Sequence, residues 1–456
     1  MKYSITDKKV LVLGLGETGL SSIRWLFGQG AILSAADTRQ MPPELMRIKN
    51  EFPNIKIHLG PFVEDIFIGI DLIVISPGVP INDKSVQSAI SRGQKVIGDV
   101  ELFSTVKPSS SKVIAITGSN GKSTVTTLVG EMCKSAGLRT IVAGNIGLPV
   151  MDTLSMEIPD VYVLELSSFQ LESTQSLNAD AATVLNISED HLDRHGSLDA
   201  YVRAKARIFN GSGVQVLNCN DELSMAMAIE GRKKIVFGLD RPSGEGAYGI
   251  EKMEPEIWLM RGKQRMLSMR ELHLPGLHNV SNVLAAFALC EAIGIKEDVI
   301  IQTAREFRGL PHRVEWIADI NEIGFFDDSK GTNVGATCAA IAGLQQKVVL
   351  IAGGDGKGQD FSPLRKATIQ NARAVILIGR DAQLIEDVLI DTGLPIYRAH
   401  DLPEAVKIGM RIAKKGDAVL LSPACASFDM FRNYEHRAKV FVEAVNDMSR
   451  LASEVH

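Results

Sequence analysis

The sequence predicts an α/β chain of three domains, each built on a mainly parallel sheet. Three observations carry that prediction. Short β-branched runs alternate with helical stretches along most of the chain. Two glycine-rich turns, at 14–19 and 118–124, each join such a run to a helix. The length of 456 residues is about three times that of an ordinary domain.

The first block, residues 1–99, opens with a strand over 9–13. The turn Gly14-Leu15-Gly16-Glu17-Thr18-Gly19 leads into a helix near 18–29, a strand over 32–36, and the run Leu72-Ile73-Val74-Ile75-Ser76. The second block, 100–308, follows the loop signal Pro108-Ser109-Ser110-Ser111. Its strand Val113-Ile114-Ala115-Ile116 feeds Thr117-Gly118-Ser119-Asn120-Gly121-Lys122-Ser123-Thr124 and a helix over 123–136. Buried strands follow at 141–143, 161–164 and 182–185, and 213–275 reads as a small region of short strands and turns. The third block, 309–456, begins near Gly309-Leu310-Pro311, because proline disfavours continuation of the preceding helix. Its apolar strands at 348–352, 374–378 and 418–421 each end in a glycine or small-residue turn.

Composition narrows the function. Hydrophobic residues at 45% with 23% charged are those of a soluble globular protein. No apolar run reaches the roughly 18 residues of a membrane span, and the start of the chain does not read as a secretion signal. Five scattered cysteines without a C-x-x-C pair point to neither zinc nor disulfides, in keeping with a cytoplasmic location. A net charge of −5 argues against a nucleic-acid partner.

The chemistry-bearing motifs lie where strands end, which is where open α/β sheets bind ligands. In 117–124 the glycines let backbone N–H groups converge on phosphate, Lys122 adds charge and Ser123 a hydroxyl for Mg²⁺. Ile116 stands where the longer form of this motif has its first glycine. Gly14–Gly19 with Asp37 is either a second phosphate site, of which a nicotinamide cofactor is one version, or only a tight turn. Glu165 ends the strand after the phosphate loop, where a carboxylate can hold Mg²⁺. Residues 189–195 gather carboxylates and imidazoles beyond the same edge. Lys205 falls in an apolar stripe with Tyr201, Val202, Ile208 and Phe209, and periodicity alone favours an ammonium that snorkels to solvent. Turns at 327–333, 353–358 and 422–427 each place Lys, Ser or Thr on flexible backbone, together suited to a small acidic substrate.

Thr117–Thr124, Leu164–Gln170 (L-E-L-S-S-F-Q), His191–His195 (H-L-D-R-H), Tyr201–Lys205 (Y-x-x-A-K) and Pro311-His312-Arg313 together resemble the Mur ligases, in the same order and over essentially the whole chain. The third-block motifs 328–333, 353–358 and 422–429 are similar to the branch that adds D-glutamate to UDP-N-acetylmuramoyl-L-alanine. The resemblance implies an N-terminal Rossmann-like domain for the UDP-sugar, a central P-loop ATPase with a mainly parallel sheet and a small β part, and a C-terminal Rossmann-like domain for the amino acid. It implies ATP as co-substrate, two Mg²⁺ ions, an acyl-phosphate intermediate, and a cytoplasmic monomer with neither a nucleic acid nor a membrane as partner. By position, Gly118, Ser119, Asn120, Gly121, Lys122, Ser123, Thr124, Arg313, Asp328 and Lys330 would bind ATP. Ser123, Glu165, His191 and Lys205, the last as a carbamate, would hold metal; Lys122, Glu165, His191 and Lys205 form the catalytic set. Gly16, Thr18, Asp37, Thr38, Arg39, Ser76 and Asn145 would line the UDP-sugar site. Thr332, Lys357, Ser427 and Phe428 would hold D-glutamate, beside the backbone of Tyr434. The chain departs from the family's frequent residues at Gly331 (Ala) and Tyr434 (Phe). A nicotinamide oxidoreductase would leave the second phosphate loop unused, and a non-catalytic nucleotide-gated protein would leave the metal constellation unused. A folylpolyglutamate-type ligase is disfavoured by the third-block motifs.

Overall fold

A computed structural model of the chain describes residues 5–274, 276–344 and 346–454. Among the described residues it builds three sheets of five, nine and six strands. The first comprises β1 (Lys9–Leu13), β2 (Ile32–Asp37), β3 (Lys56–Leu59), β4 (Leu72–Ile75) and β5 (Val96–Gly98) in the order β3-β2-β1-β4-β5, all parallel. The order reverses between β1 and β4, which opens a crevice at their carboxyl ends.

The central sheet contains β6 (Lys112–Thr117), β7 (Thr140–Gly144), β8 (Val161–Glu165), β9 (Ala181–Val184), β10 (Val214–Asn218) and β11 (Lys234–Phe237), joined by β12 (Tyr248–Met253), β13 (Glu256–Arg261) and β14 (Gln264–Ser268). Its order is β14-β13-β12-β11-β10-β9-β6-β8-β7. The last three strands form an antiparallel meander, the small β part expected for 213–275. Alternation along β6 divides two cores. Ile114 and Ile116 join the helices Lys122–Ser135, Leu277–Ala292 and Glu297–Glu306; Val113 and Ala115 join a core continuous with the first sheet.

The third sheet holds β15 (Glu315–Ile320), β16 (Ile323–Asp327), β17 (Val348–Gly353), β18 (Ala372–Ile378), β19 (Ile396–Arg398) and β20 (Ala418–Leu421), ordered β15-β16-β20-β17-β18-β19. It is parallel except for the edge strand β15. Most expected strands and helices lie within two residues of their positions in the fold, because apolar runs bounded by glycine leave little choice of register. No helix among the described residues is long and apolar enough to cross a membrane.

Asp99 opens the helix Asp99–Val106 between the first two sheets, and it is 2% exposed with Oδ1 lacking a hydrogen-bond partner. Burial raises its carboxyl to about 6, against hydrogen bonds from Val100 and Gln170. A raised folded-state value means that the charged form costs stability. The cost is absent in strong acid, grows as pH rises past the unfolded value, and is complete above the folded one. Asp99→Asn is therefore expected to add about 2 kcal/mol more stability at pH 8 than at pH 4. Urea unfolding at both pH values checks this; equal gains would contradict it.

Candidate active site where the three sheets meet

Register determines what faces the loop after β6. Ile116 pairs with Glu165 of β8, and Thr117 pairs with Val184 of β9, so Glu165 and Asn186 flank residues 118–121. The Asn120 amide donates to Asn186 Oδ1 (2.8 Å), and the Ser119 amide donates to the Asn186 carbonyl (2.9 Å). Gly121, at φ +81, opens the helix Lys122–Ser135, whose N-terminus no side chain caps. A Cβ on Gly121 would lie 2.4 Å from Asn282 Oδ1, so only glycine fits. The free N–H groups and the helix dipole make this concavity an anion site. Lys122 folds along it, donating to the carbonyls of Gly118 and Ser119 at 2.8 Å each. Burial lowers its pKa, while Glu165 and Asp190 act to raise it.

Glu165 is buried; its Oε1 accepts from Asn145 Nδ2 at 2.7 Å, and its Oε2 has no partner. A buried carboxylate oxygen left bare is costly, and one placed beside a phosphate loop suits a hard divalent cation. Lys205, on the helix Leu198–Ala206, is 1% exposed. Its amine donates to Gly118 O (2.9 Å) and Thr117 Oγ1 (3.2 Å), and it lies 4.7 Å from the Tyr201 ring centre. The snorkelling expectation fails because this helix face packs on the phosphate loop. Burial, then Lys122, drives the Lys205 pKa well below its usual range, which favours the nucleophilic neutral amine over the ammonium. His191, at φ +54, begins the short helix Leu192–His195 with its Nε2 3.7 Å from Asp190 Oδ2. Burial lowers its pKa, which leaves a lone pair available to a metal. Among the described residues, a different trio brings its ligand atoms within 4.8 Å of one another: His312, Glu315 and Asp327. That trio is already satisfied. His312 Nδ1 lies 2.7 Å from Asp327 Oδ2, Glu315 accepts the His312 amide (2.8 Å), and Asp327 accepts the Ser329 amide (2.8 Å).

The trio braces Arg313, which stands between His312 (φ +63) and Val314 (φ +51), two non-glycine residues in the left-handed region. The Arg313 guanidinium crosses to Ser123 Oγ at 2.8 Å. Asp328 accepts from Ser422 Oγ at 2.6 Å, and burial raises its carboxyl to about 7. Lys330 sits 3.6 Å from the Tyr434 ring centre, and burial with Arg313 repulsion lowers it to about 8. Arg313, Asp328 and Lys330 line one cavity of about 360 Å³ with Asn120, Gly121 and Thr124 of the phosphate loop.

Thr332, Lys357, Ser427 and Phe428 lie on the loops after β16, β17 and β20, which are adjacent in the sheet. Backbone bonds lace these loops: Ala424 N–H to Gly331 O (2.9 Å), and a two-way pair between Asp355 and Ala426 (3.0 and 2.8 Å). Ser427 is buried, whereas Phe428 is exposed. Lys357 Nζ donates to Asp190 Oδ1 at 3.0 Å, and Asn333 Nδ2 donates to Asn120 Oδ1 (3.1 Å) and Asp190 Oδ2 (3.4 Å). The third sheet is thus closed onto the central one. Asp190 and Asn333 lie inside recognised motifs, yet sequence reasoning gave neither a role of its own. Arg437 was missed altogether. Buried on the helix Tyr434–Glu454, it donates to Ser329 O (2.7 Å), Ser329 Oγ (3.0 Å) and Cys425 O (3.1 Å), tying two of the loops together.

Gly16, Thr18, Asp37, Thr38, Arg39, Ser76 and Asn145 all line a second cleft, of about 540 Å³, at the carboxyl edge of the first sheet. A Cβ on Gly19 would lie 1.9 Å from Gly14 O, so glycine lets the helix approach the turn. Asp37 accepts from the Leu15 amide (2.7 Å), the Arg39 amide (2.9 Å), Arg39 Nε (2.9 Å) and Arg39 Nη2 (2.8 Å). Burial opposes its ionisation, but these bonds hold its carboxyl below the usual range. Four donors use its four lone pairs, leaving none for a ribose hydroxyl. That removes the main support for a nicotinamide site.

Asn279 and Asn282 also line the 360 Å³ cavity. Asn282 Nδ2 donates to Asn279 Oδ1 at 3.2 Å. The signal was available: two carboxamides three residues apart in the first two turns of a helix that is largely apolar beyond them, Leu277–Ala292.

Known proteins share the fold and much of the sequence. Residues 8–98 match the profile of the Mur ligase MurD-like N-terminal domain, 116–290 the Mur ligase middle domain, and 312–425 the Mur ligase glutamate ligase domain. The chain is 58% identical to UDP-N-acetylmuramoylalanine–D-glutamate ligase of Methylobacillus flagellatus, over 98% of each chain. It is 51% identical to the enzyme of that name from Thiobacillus denitrificans, over 99% of this chain and 98% of the relative. Among solved structures, a pseudomurein peptide ligase type C from Methanothermus fervidus shares the fold at TM-score 0.60 and 21% identity, covering 97% of this chain and all of that one. UDP-N-acetylmuramate–alanine ligase from Thermotoga maritima does so at TM-score 0.58 and 22% identity, over 96% and 99%.

Proposed function

The chain belongs to the Mur ligase family, and from that premise we propose that it joins D-glutamate to UDP-N-acetylmuramoyl-L-alanine in an ATP-dependent step of peptidoglycan precursor synthesis, releasing ADP and phosphate. One observation supports this reading above the rest. The phosphate loop, flanked by Glu165 and Asn186, faces the 328–333 loop across one cavity, with a second cleft beside Asn145.

A carboxylate is a poor electrophile. Phosphorylation by ATP creates an acyl phosphate, the D-glutamate amine attacks it, and the tetrahedral intermediate expels phosphate as the amide forms. The protein supplies position and charge. Residues 118–124 with Lys122 cradle the nucleotide's phosphates, and Arg313, Asp328 and Lys330 reach the nucleotide from the third domain. Ser123 and Glu165 would hold one Mg²⁺, and His191 with Lys205 as its carbamate a second, offsetting charge on the phosphoryl group. Asn145 orients the sugar-linked carboxylate. Gly16, Thr18, Thr38, Arg39 and Ser76 line the UDP end, with Asp37 acting through its hold on Arg39. Thr332, Lys357 and Ser427 hold the D-glutamate carboxylates, with Phe428 alongside. In this reading Lys357 exchanges Asp190 for substrate. The domains run 1–99, 100–308 and 309–456, with a hinge near Gly309–Pro311, and the enzyme works as a cytoplasmic monomer.

Phosphate release with UDP-N-acetylmuramoyl-L-alanine and a panel of amino acids tests the reading. Turnover is expected only with D-glutamate; equal turnover with L-glutamate or diaminopimelate would overturn the specificity.

A further inference from the structure

The segment that follows His191 carries contacts that neither phosphate binding nor amide formation uses. Arg194, in the helix Leu192–His195, reaches out of the central sheet toward the first cleft. Its Nη2 donates to Val79 O at 3.0 Å and to Pro77 O at 3.4 Å. Pro77 and Val79 line that cleft directly after Ser76. The same guanidinium lies 4.7 Å from the Phe169 ring centre and 3.6 Å from Glu172 Oε2.

Phe169 and Glu172 belong to the helix Ser168–Glu172, which follows the strand ending at Glu165. His195 locks that helix. Its Nδ1 lies 3.0 Å from Glu172 Oε1, its Nε2 lies 2.9 Å from Ser168 Oγ, and its ring stacks on Phe169 at 5.4 Å. The His191 ring meets the edge of Phe169 at 4.9 Å. A serine, histidine and glutamate in hydrogen-bonded sequence invite a hydrolase reading. Ser168 is 3% exposed and the His195 side chain 1%, so no acyl group reaches them. The arrangement is a brace.

We propose that Arg194 is a positioning residue that couples occupation of the first-domain cleft to the placement of His191 and Glu165. The inference rests on the functional reading of the two clefts. A ligand that orders the 76–79 loop presents two fixed carbonyls to Arg194. An Arg194 held there keeps its contacts with Phe169 and Glu172, and Phe169 in turn supports the His191 ring. Linkage makes the effect reciprocal: nucleotide bound on the His191 side tightens sugar-nucleotide binding by the same factor.

The test measures the dissociation constant of a non-hydrolysable Mg–ATP analogue, by calorimetry on the full chain, with and without saturating UDP-N-acetylmuramoyl-L-alanine. The wild-type ratio is expected to be about fivefold or more. In Arg194→Met the ratio should approach one, the affinity for the analogue alone should stay within about twofold, and KM for the UDP-sugar should rise more than KM for D-glutamate. Arg194→Lys should restore part of the ratio, which a purely structural defect would not. Glu172→Gln keeps the Arg207 bond to the Glu172 carbonyl and should lower the ratio part way; it carries the test if the methionine variant does not fold. A wild-type ratio of one overturns the inference. So does a full ratio in Arg194→Met, or in Glu172→Gln where that variant stands in. A UDP-sugar that does not bind the wild type at all overturns the functional reading as well, whereas binding without coupling overturns only this inference.

Discussion

Lys205→Met is expected to lower ligation by about 10³-fold and to leave the unfolding midpoint unchanged or slightly raised. The two halves of the prediction have different origins. The Lys205 amine is buried with a strongly lowered pKa, so folding gains little from its charge, and a methionine of similar length fills its space. Its acceptors are not orphaned by the change. Gly118 O also accepts from Lys122, and Thr117 Oγ1 donates to Leu166 O at 2.6 Å. Catalysis loses much more. In the proposed role a neutral amine here would add CO₂, forming an N–C bond and releasing a proton, and the resulting anion would be the metal ligand. Added bicarbonate should not restore the variant, because the attachment atom is gone. Phosphate release and thermal unfolding on one preparation read both halves; activity within tenfold of wild type would sink the carbamate assignment.

Lys122→Ala should lower kcat/KM for ATP by about 10³-fold. Lys122 is the cation that lies along the loop, bonded to the carbonyls of Gly118 and Ser119. Binding of the UDP-sugar should be nearly unchanged, because Lys122 is absent from the cleft lined by Asp37, Ser76 and Asn145. A loss of less than tenfold, or an equal loss of UDP-sugar affinity, would contradict the role. The alanine variant also tests whether Lys122 helps depress the Lys205 pKa, since its ammonium is one cause of that shift.

Much of this site was legible because its residues end strands. The motifs after β6, β8, β16, β17 and β20 are local in sequence, and parallel register sets those of each sheet side by side. What escaped arises from packing between distant segments. The Asp190–Lys357 pair spans 167 positions and exists only when the third sheet is closed on the central one. Arg194 and Val79 are 115 positions apart, and a backbone carbonyl leaves no side-chain signature in a sequence. Lys205 shows the limit of periodicity: the apolar stripe was visible, but not that its face turns toward Gly118. Arg437 belongs to none of the motifs, yet it is buried against Ser329 and Cys425.

The central claim is that ATP activates the sugar-linked carboxylate before the amine attacks. The phosphate-release assay, repeated with UDP-N-acetylmuramoyl-L-alanine carrying ¹⁸O in that carboxylate, tests it directly. One ¹⁸O atom per phosphate released, in step with amide formed, is the result the account predicts. Phosphate free of ¹⁸O while amide accumulates would contradict it.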